Sequence, residues 1–197
     1  ITSIEPLLEV QSQREFLTHE NWHEYPYKPI TAFNIARTAK NLNIRYSVQG
    51  NSLKASYEMD NSSVHKDSCV EFFMKKEGDS HYMNFEFNCI GTCDAARRTS
   101  RDIKTSLSQE EYKSIIRLPS VRRRAFEEIK GIHTWNLIVV IPLKLMGLDP
   151  SNLPEKILGN FYKCADETMN PHFVSWSPID LPEPNFHCPE FFGEIYL

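Results

Sequence analysis

Two runs of alternating side chains, separated by four turn residues, constrain this chain more than any other stretch. Residues 69–76 and 81–89 flank Glu77-Gly78-Asp79-Ser80, an arrangement that reads as a β-hairpin. With Lys76 opposite His81, Val70 meets Phe87, Phe72 meets Phe85 and Met74 meets Met83. All three pairs are apolar and therefore mark the buried face. A slip of one residue would mix the two faces, so the register is well determined. The other face carries Glu71, Phe73 and Lys75 on one strand and Tyr82, Asn84, Glu86 and Asn88 on its neighbour.

Further strand patterns run the length of the chain. The segment to Tyr27, with Trp22 and Tyr25, reads as an edge strand plus a strap over the domain. Residues 32–36, 42–48 and 53–58 read as short strands, with Gln49-Gly50-Asn51 as a turn between the last two. Residues 91–104 read as a polar, Arg-rich excursion. Ser108 and Glu111 stand at capping-box positions for a short helix over 108–116. Residues 135–141 form a nearly continuous apolar strand that Pro142 ends. Residues 143–148 fit one or two helical turns, and 160–165, 173–176 and 191–197 are further strands. Twelve Phe and eight Tyr favour strands, while seven Gly and twelve Pro favour turns. The expected fold is all-β: a two-sheet antiparallel β-sandwich, immunoglobulin-like or jelly-roll-like, with one or two short helices. All 197 residues suit a single domain, with residues 1–30 as the strap and edge segment.

A net charge of −4 and a pI near 6.0 provide no general attraction to nucleic acid. No apolar run is long enough for membrane insertion. The chain begins at Ile1, which reads as a mature or trimmed start, and a monomer is expected. Five cysteines, Cys69, Cys89, Cys93, Cys164 and Cys188, leave at least one unpaired. Buried free thiols, one or two disulfides, and metal binding all remain open.

The hairpin's polar face is the most informative candidate site. Its register puts Glu71 across from Glu86, and like charges directly opposite destabilise a sheet. A compensating group is called for: an Arg, a cation or a network of ligand hydroxyls. Arg97, Arg98 and Arg101 follow closely in sequence and can fold back over this face. Carboxylates, an amide (Asn84), an aromatic ring and an Arg suit a sugar, whose hydroxyls need paired donors and acceptors. The plainer reading is a solvated face with ordinary salt bridges. Trp176 fits either a stacking platform or a core anchor, whereas Trp135 continues a buried strand. Arg122-Arg123-Arg124 reads as a solvated turn. The histidines lack metal-ligand spacing, although His172, His187 and Cys188 fall in one region. Directly opposed strand carboxylates are too close to act as a glycosidase pair, so no catalysis is expected.

Five motifs in order resemble the family 9 carbohydrate-binding modules, in the form common in glycan-degrading gut and soil bacteria. They are DSCVEFF from Asp67, YMNFEFNCIG from Tyr82, WNLIVVIPL from Trp135, GNFYKC from Gly159, and PHFVSWSP from Pro171 with the tail NFHCPEFFGEIYL from Asn185. The resemblance runs from about residue 30 to the C-terminus. It implies a sandwich of the type shared with DOMON domains, no catalysis, and recognition of a mono- or oligosaccharide or a glycan end within a glycan-degrading system. An extracellular, periplasmic or cell-surface location goes with that role. Members of the family hold a terminal sugar between two tryptophans, with a carboxylate and an Arg on its hydroxyls. Glu71 matches the motif glutamate, and Arg97 or Arg98 stands where the arginine is expected. The implied carbohydrate set is therefore Glu71, Arg97, Arg98, Trp176, Asn84, Glu86 and His65. His65 occupies the stretch where a tryptophan would precede DSCVEFF. No cofactor is implied beyond a structural calcium, for which Asp60 and Asp67 offer oxygens. A haem-linked DOMON-type domain would need axial ligands such as His65, Met74 or Met83. An interaction module that has lost the sugar site is the other alternative.

Overall fold

The structure, a computed structural model, describes residues 12–197; the part of the expected strap formed by residues 1–11 lies outside the described residues. Two antiparallel sheets pack face to face. The first runs in the order β1 (Arg14–Phe16), β3 (Ile30–Arg37), β4 (Asn41–Ala55), β10 (Phe126–Pro142) and β9 (Ile116–Pro119). The second runs β2 (His19–Glu20), β12 (Phe173–Ser175), β11 (Lys156–Cys164), β5 (Cys69–Lys75), β6 (Tyr82–Asn88), β7 (Cys93–Arg98) and β8 (Lys104–Ser106). β13 (Gly193–Tyr196) pairs with the start of β11. The expected sandwich is present.

The hairpin has the register read from its alternation. Val70 pairs with Phe87, Phe72 with Phe85, Met74 with Met83, and Glu71 with Glu86. The apolar side chains face the first sheet, where Phe33, Leu42, Ile44, Tyr46 and Val48 meet them beside Trp135, Leu137 and Val139. Phe33 stacks on Phe161 with ring centroids 3.7 Å apart. Each such aromatic ring contributes roughly 1.5–3 kcal/mol by leaving water.

Three expectations need correction. Residues 42–48 and 53–58 are not two strands joined by a turn; β4 runs through Gln49-Gly50-Asn51 and pairs with β10 along its length. Gly50 serves close approach instead. A Cβ there would lie 3.1 Å from the Tyr27 hydroxyl, which accepts a hydrogen bond from the Asn51 amide at 2.7 Å. Residues 91–104 are not an excursion but contain β7 and run into the start of β8. Their alternation puts Asp94 and Arg98 on one face and Ala95 on the other, against Phe85. Residues 143–148 form consecutive turns rather than a helix, and Gly147 is there at φ 72°. Helix α1 (Gln109–Ser114) carries the expected capping box of Ser108 and Glu111.

The outer face of the second sheet is the largest departure from the sequence reading. It is covered rather than solvated. Trp22 and the coil following β12 lie over it, so that Phe73, Tyr82 and Tyr162 form a second apolar cluster with Trp22, Ile179 and Phe186. The Trp22 indole N–H donates to the Leu181 carbonyl at 2.8 Å, tying the two covering segments together. Phe186 stacks on Tyr162 with centroids 4.1 Å apart. All five cysteines are buried free thiols.

Candidate functional site

The cover is incomplete over one part of the sheet, leaving an open cleft of about 370 Å³. Its floor is laid down by register. Glu71 on β5 pairs with Glu86 on β6, and Glu86 pairs with Asp94 on β7, so three carboxyls stand in a row across three strands. All three line the cleft, with Cys164 and Asp166 at one end. The walls come from three loops: Asn61 to His65, Arg101 with Asp102, and Pro184 to His187.

Cations and an amide compensate this row. Asn84 is wholly buried; its Nδ2 donates to Glu86 Oε1 at 3.0 Å, and its Oδ1 accepts from Arg98 Nε at 2.6 Å. Arg98 also donates from Nη1 to the Arg101 carbonyl. Lys104 Nζ lies 3.7 Å from Asp94 Oδ2, and His65 Nδ1 lies 3.8 Å from Glu86 Oε2. Among the described residues no carboxylate forms an ion pair with Arg98.

Glu71 and Glu86 are 2% and 4% exposed. Burial is the main cause that pushes both carboxyls above their ordinary range. The charge of Glu71, then of Asp94, pushes Glu86 further in the same direction. A protonated carboxyl can donate a hydrogen bond and a carboxylate can only accept, and burial favours the protonated form at both positions. His187 lines the cleft, and its Nδ1 lies 3.0 Å from the Tyr82 hydroxyl. Burial, followed by the charge of Arg98, lowers His187 to about 3.

The structure brings together five of the seven residues read from sequence. Glu71, Glu86, Arg98 and His65 line the cleft, and Asn84 lies beneath it, orienting two of them. Arg97 lies elsewhere. It has the strand parity of Met83, opposite that of Arg98, and its guanidinium bonds Glu111 on α1 at 2.6 Å. Trp176 is also outside the cleft lining. Its ring packs edge-on against Phe33 and Phe161, each 6.0 Å away, and closely approaches Gly193. The aromatic surface of the cleft comes instead from Phe173 and Phe186, which the sequence reading had not singled out for the site. The polar, Arg-rich composition of 91–104 hides Asp94; its spacing of two residues from Ala96 and four from Arg98 carries the strand signal.

The remaining candidates have other work. Asp67 accepts from the Ser56 and Tyr57 amides and from Asn88, and Asp60 accepts from the Cys93 amide and Arg117. His172 accepts at Nε2 from Lys163 Nζ at 2.9 Å while its Nδ1 donates to the Asn170 carbonyl. Met74 and Met83 lie in the core between the sheets, on the face opposite the cleft.

A sandwich with a polar sheet face left partly open under an aromatic cover is a ligand-binding β-sandwich module. The chain belongs to carbohydrate-binding family 9, a family of non-catalytic binding modules whose model matches residues 5–197. The solved structure of a provisionally assigned carbohydrate-binding protein from Bacteroides uniformis ATCC 8492 is similar at 38% identity and TM-score 0.93, covering 99% of this chain and 91% of that one. A family 9 module from Caldicellulosiruptor kristjanssonii in complex with cellotriose shares the fold at 12% identity and TM-score 0.60, over 98% of this chain and 86% of that one. The glucose complex from the same organism gives TM-score 0.56 at 12% identity, over 94% and 84% of the two chains. No curated protein matches the sequence. No helix among the described residues is long and apolar enough to cross a membrane.

Proposed function

We propose that this protein acts as a monomeric, non-catalytic module that holds a mono- or oligosaccharide, or a glycan end, in the cleft above Glu71 and Glu86. Its setting is a glycan-degrading system at the cell surface, in the periplasm or outside the cell. The observation that carries the reading is the carboxyl row Glu71–Glu86–Asp94 facing Arg98 and Lys104 in one open cleft. Such a set offers acceptors and donors at short spacing, which is what adjacent sugar hydroxyls require. Phe173 and Phe186 supply apolar surface for sugar C–H groups. The cleft volume falls at the small end of ligand pockets, about 300–1,000 Å³, which suits a short ligand or a chain end. Hydrolysis is not expected, because carboxyls paired directly across a strand leave no room for the scissile bond between them.

Titration calorimetry against a sugar panel tests the proposal. Glucose and cellotriose come first because the Caldicellulosiruptor relatives were solved with them. Replacing Arg98 with Met should weaken binding about tenfold or more, since a hydrogen bond from a charged group is worth roughly 1.5–3 kcal/mol. Arg97→Ala, away from the cleft, should bind as the parent does. No heat with any sugar across the panel, or equal loss in both variants, would sink the reading.

A further inference from the structure

We propose that Cys69, Cys164 and Glu71 form a site for a thiophilic divalent cation, zinc fitting best, at the inner end of the cleft. The proposal does not rest on the carbohydrate reading. Cys69 and Cys164 stand directly opposite one another on β5 and β11. Glu71 follows Cys69 by two residues and so shares its face of the sheet. Glu71 Oε1 lies 3.0 Å from Cys164 Sγ and 3.9 Å from Cys69 Sγ. The three ligand atoms are all within 4.8 Å of one another.

A tetrahedral zinc, with Zn–S near 2.3 Å and Zn–O near 2.1 Å, holds its ligand atoms roughly 3.5–3.8 Å apart. The observed sulfur–oxygen separations bracket that range. With all three ligand atoms within 4.8 Å of one another, seating the ion asks for adjustments of about 1 Å. Two sulfurs and one oxygen argue against calcium or magnesium, which take six or more oxygens. They suit a borderline-soft ion.

The surroundings support the assignment in three ways. Cys164 and Glu71 line the cleft, so an ion has a path from solvent, and three protein ligands leave a fourth position open to the cleft. The Tyr46 hydroxyl donates to the Glu71 carbonyl at 3.0 Å, holding the backbone at that ligand. Two thiolates, one carboxylate and a divalent ion leave one net negative charge. Lys163 Nζ bonds the Cys164 carbonyl at 2.6 Å; burial lowers its pKa, but charge on Cys164, Cys69 and Glu71 raises it, so ionised ligands favour the ammonium that offsets them. Of the other cysteines, Cys89, Cys93 and Cys188 do not belong to this cluster. Binding releases the two thiol protons to solvent, together with the carboxyl proton that burial, pushing Glu71 up to about 8, holds there at neutral pH.

The test uses the whole protein, kept reduced with a non-chelating phosphine and free of sugar. Cobalt(II) is added first, followed by zinc in competition with a chromophoric chelator. The expected result is one ion per chain, thiolate-to-cobalt charge-transfer absorption, displacement of cobalt by zinc, and zinc affinity tighter than about 1 μM. Cys69→Ser and Cys164→Ser should each weaken zinc at least about 100-fold, while Cys188→Ser should bind as the parent does. If a serine variant fails to fold, the parent's cobalt spectrum decides alone. Absence of thiolate-to-cobalt absorption in the parent, or its persistence in folded Cys69→Ser or Cys164→Ser, overturns the proposal. Sugar binding measured in metal-free buffer stands or falls separately.

Discussion

Asn84 donates to Glu86 and accepts from Arg98, so one amide orients a carboxyl and a guanidinium at the cleft. An amide can do both because it carries donor and acceptor on one planar group. A carboxylate at this position would repel Glu86, and an apolar residue would leave two buried polar groups without their partner. Asn84→Ala should therefore lower stability by about 2–3 kcal/mol, at the upper end of the cost of an unsatisfied buried group. Urea unfolding measures it. A change within about 0.5 kcal/mol would mean that water replaces the amide at no cost. Arg97 and Arg98 make the same point about parity. They are adjacent in sequence and both lie within reach of the hairpin, yet strand alternation sends one to Glu111 and the other to the floor of the cleft.

At the scale of elements, β11 is the strand on which the second sheet depends. It pairs with β5 along one edge and with both β12 and β13 along the other. At Gly159 these strands leave no room for a side chain. A Cβ there would lie 2.7 Å from the Phe73 carbonyl oxygen and 2.9 Å from Ile195 Cδ1. The first contact is with backbone and cannot be relieved by a side-chain rotation. Gly159→Ala should cost about 1–3 kcal/mol as an overpacking change, read as a lower urea midpoint with an unchanged slope. An unaltered midpoint would show that β5 and β13 both give way at little cost. The hairpin of β5 and β6 was legible to the residue because three apolar pairs admit one register. β4 was read as two strands because Gly50 resembles a turn residue, and only the long partner strand β10 shows that it continues the ladder.

At the scale of the whole molecule, buried ionisable groups should give stability two opposing pH limbs. His172 and His187 are lowered by burial, His187 from an ordinary 6.5 to about 3. The unfolded chain then binds protons at these histidines more readily than the folded one, so their contribution is lost as pH falls below 6.5. Glu71 and Glu86 are raised from an ordinary 4.5. The folded chain holds those protons more tightly, so their contribution is lost as pH rises above 4.5. The two trends oppose each other between 4.5 and 6.5, and melting temperature should fall on either side. Glu71→Gln should flatten the alkaline limb and leave the acid limb intact. A melting temperature that climbs steadily to pH 8 would contradict this account.

The amino-acid sequence by itself determined the hairpin, its register and the meeting of Glu71 with Glu86, because a period of two assigns every side chain to a face. It also carried the ordered motifs of the family. It did not determine whether the polar face meets water. That was decided by the tertiary structure, since the cover comes from Trp22, well before the hairpin, and from residues such as Phe186, about a hundred positions beyond Glu86. The pairing of Cys69 with Cys164 was likewise invisible until β11 docked beside β5. Local alternation encodes which way a side chain points. What it points at depends on contacts between segments far apart in sequence, and those form only when the whole sandwich closes.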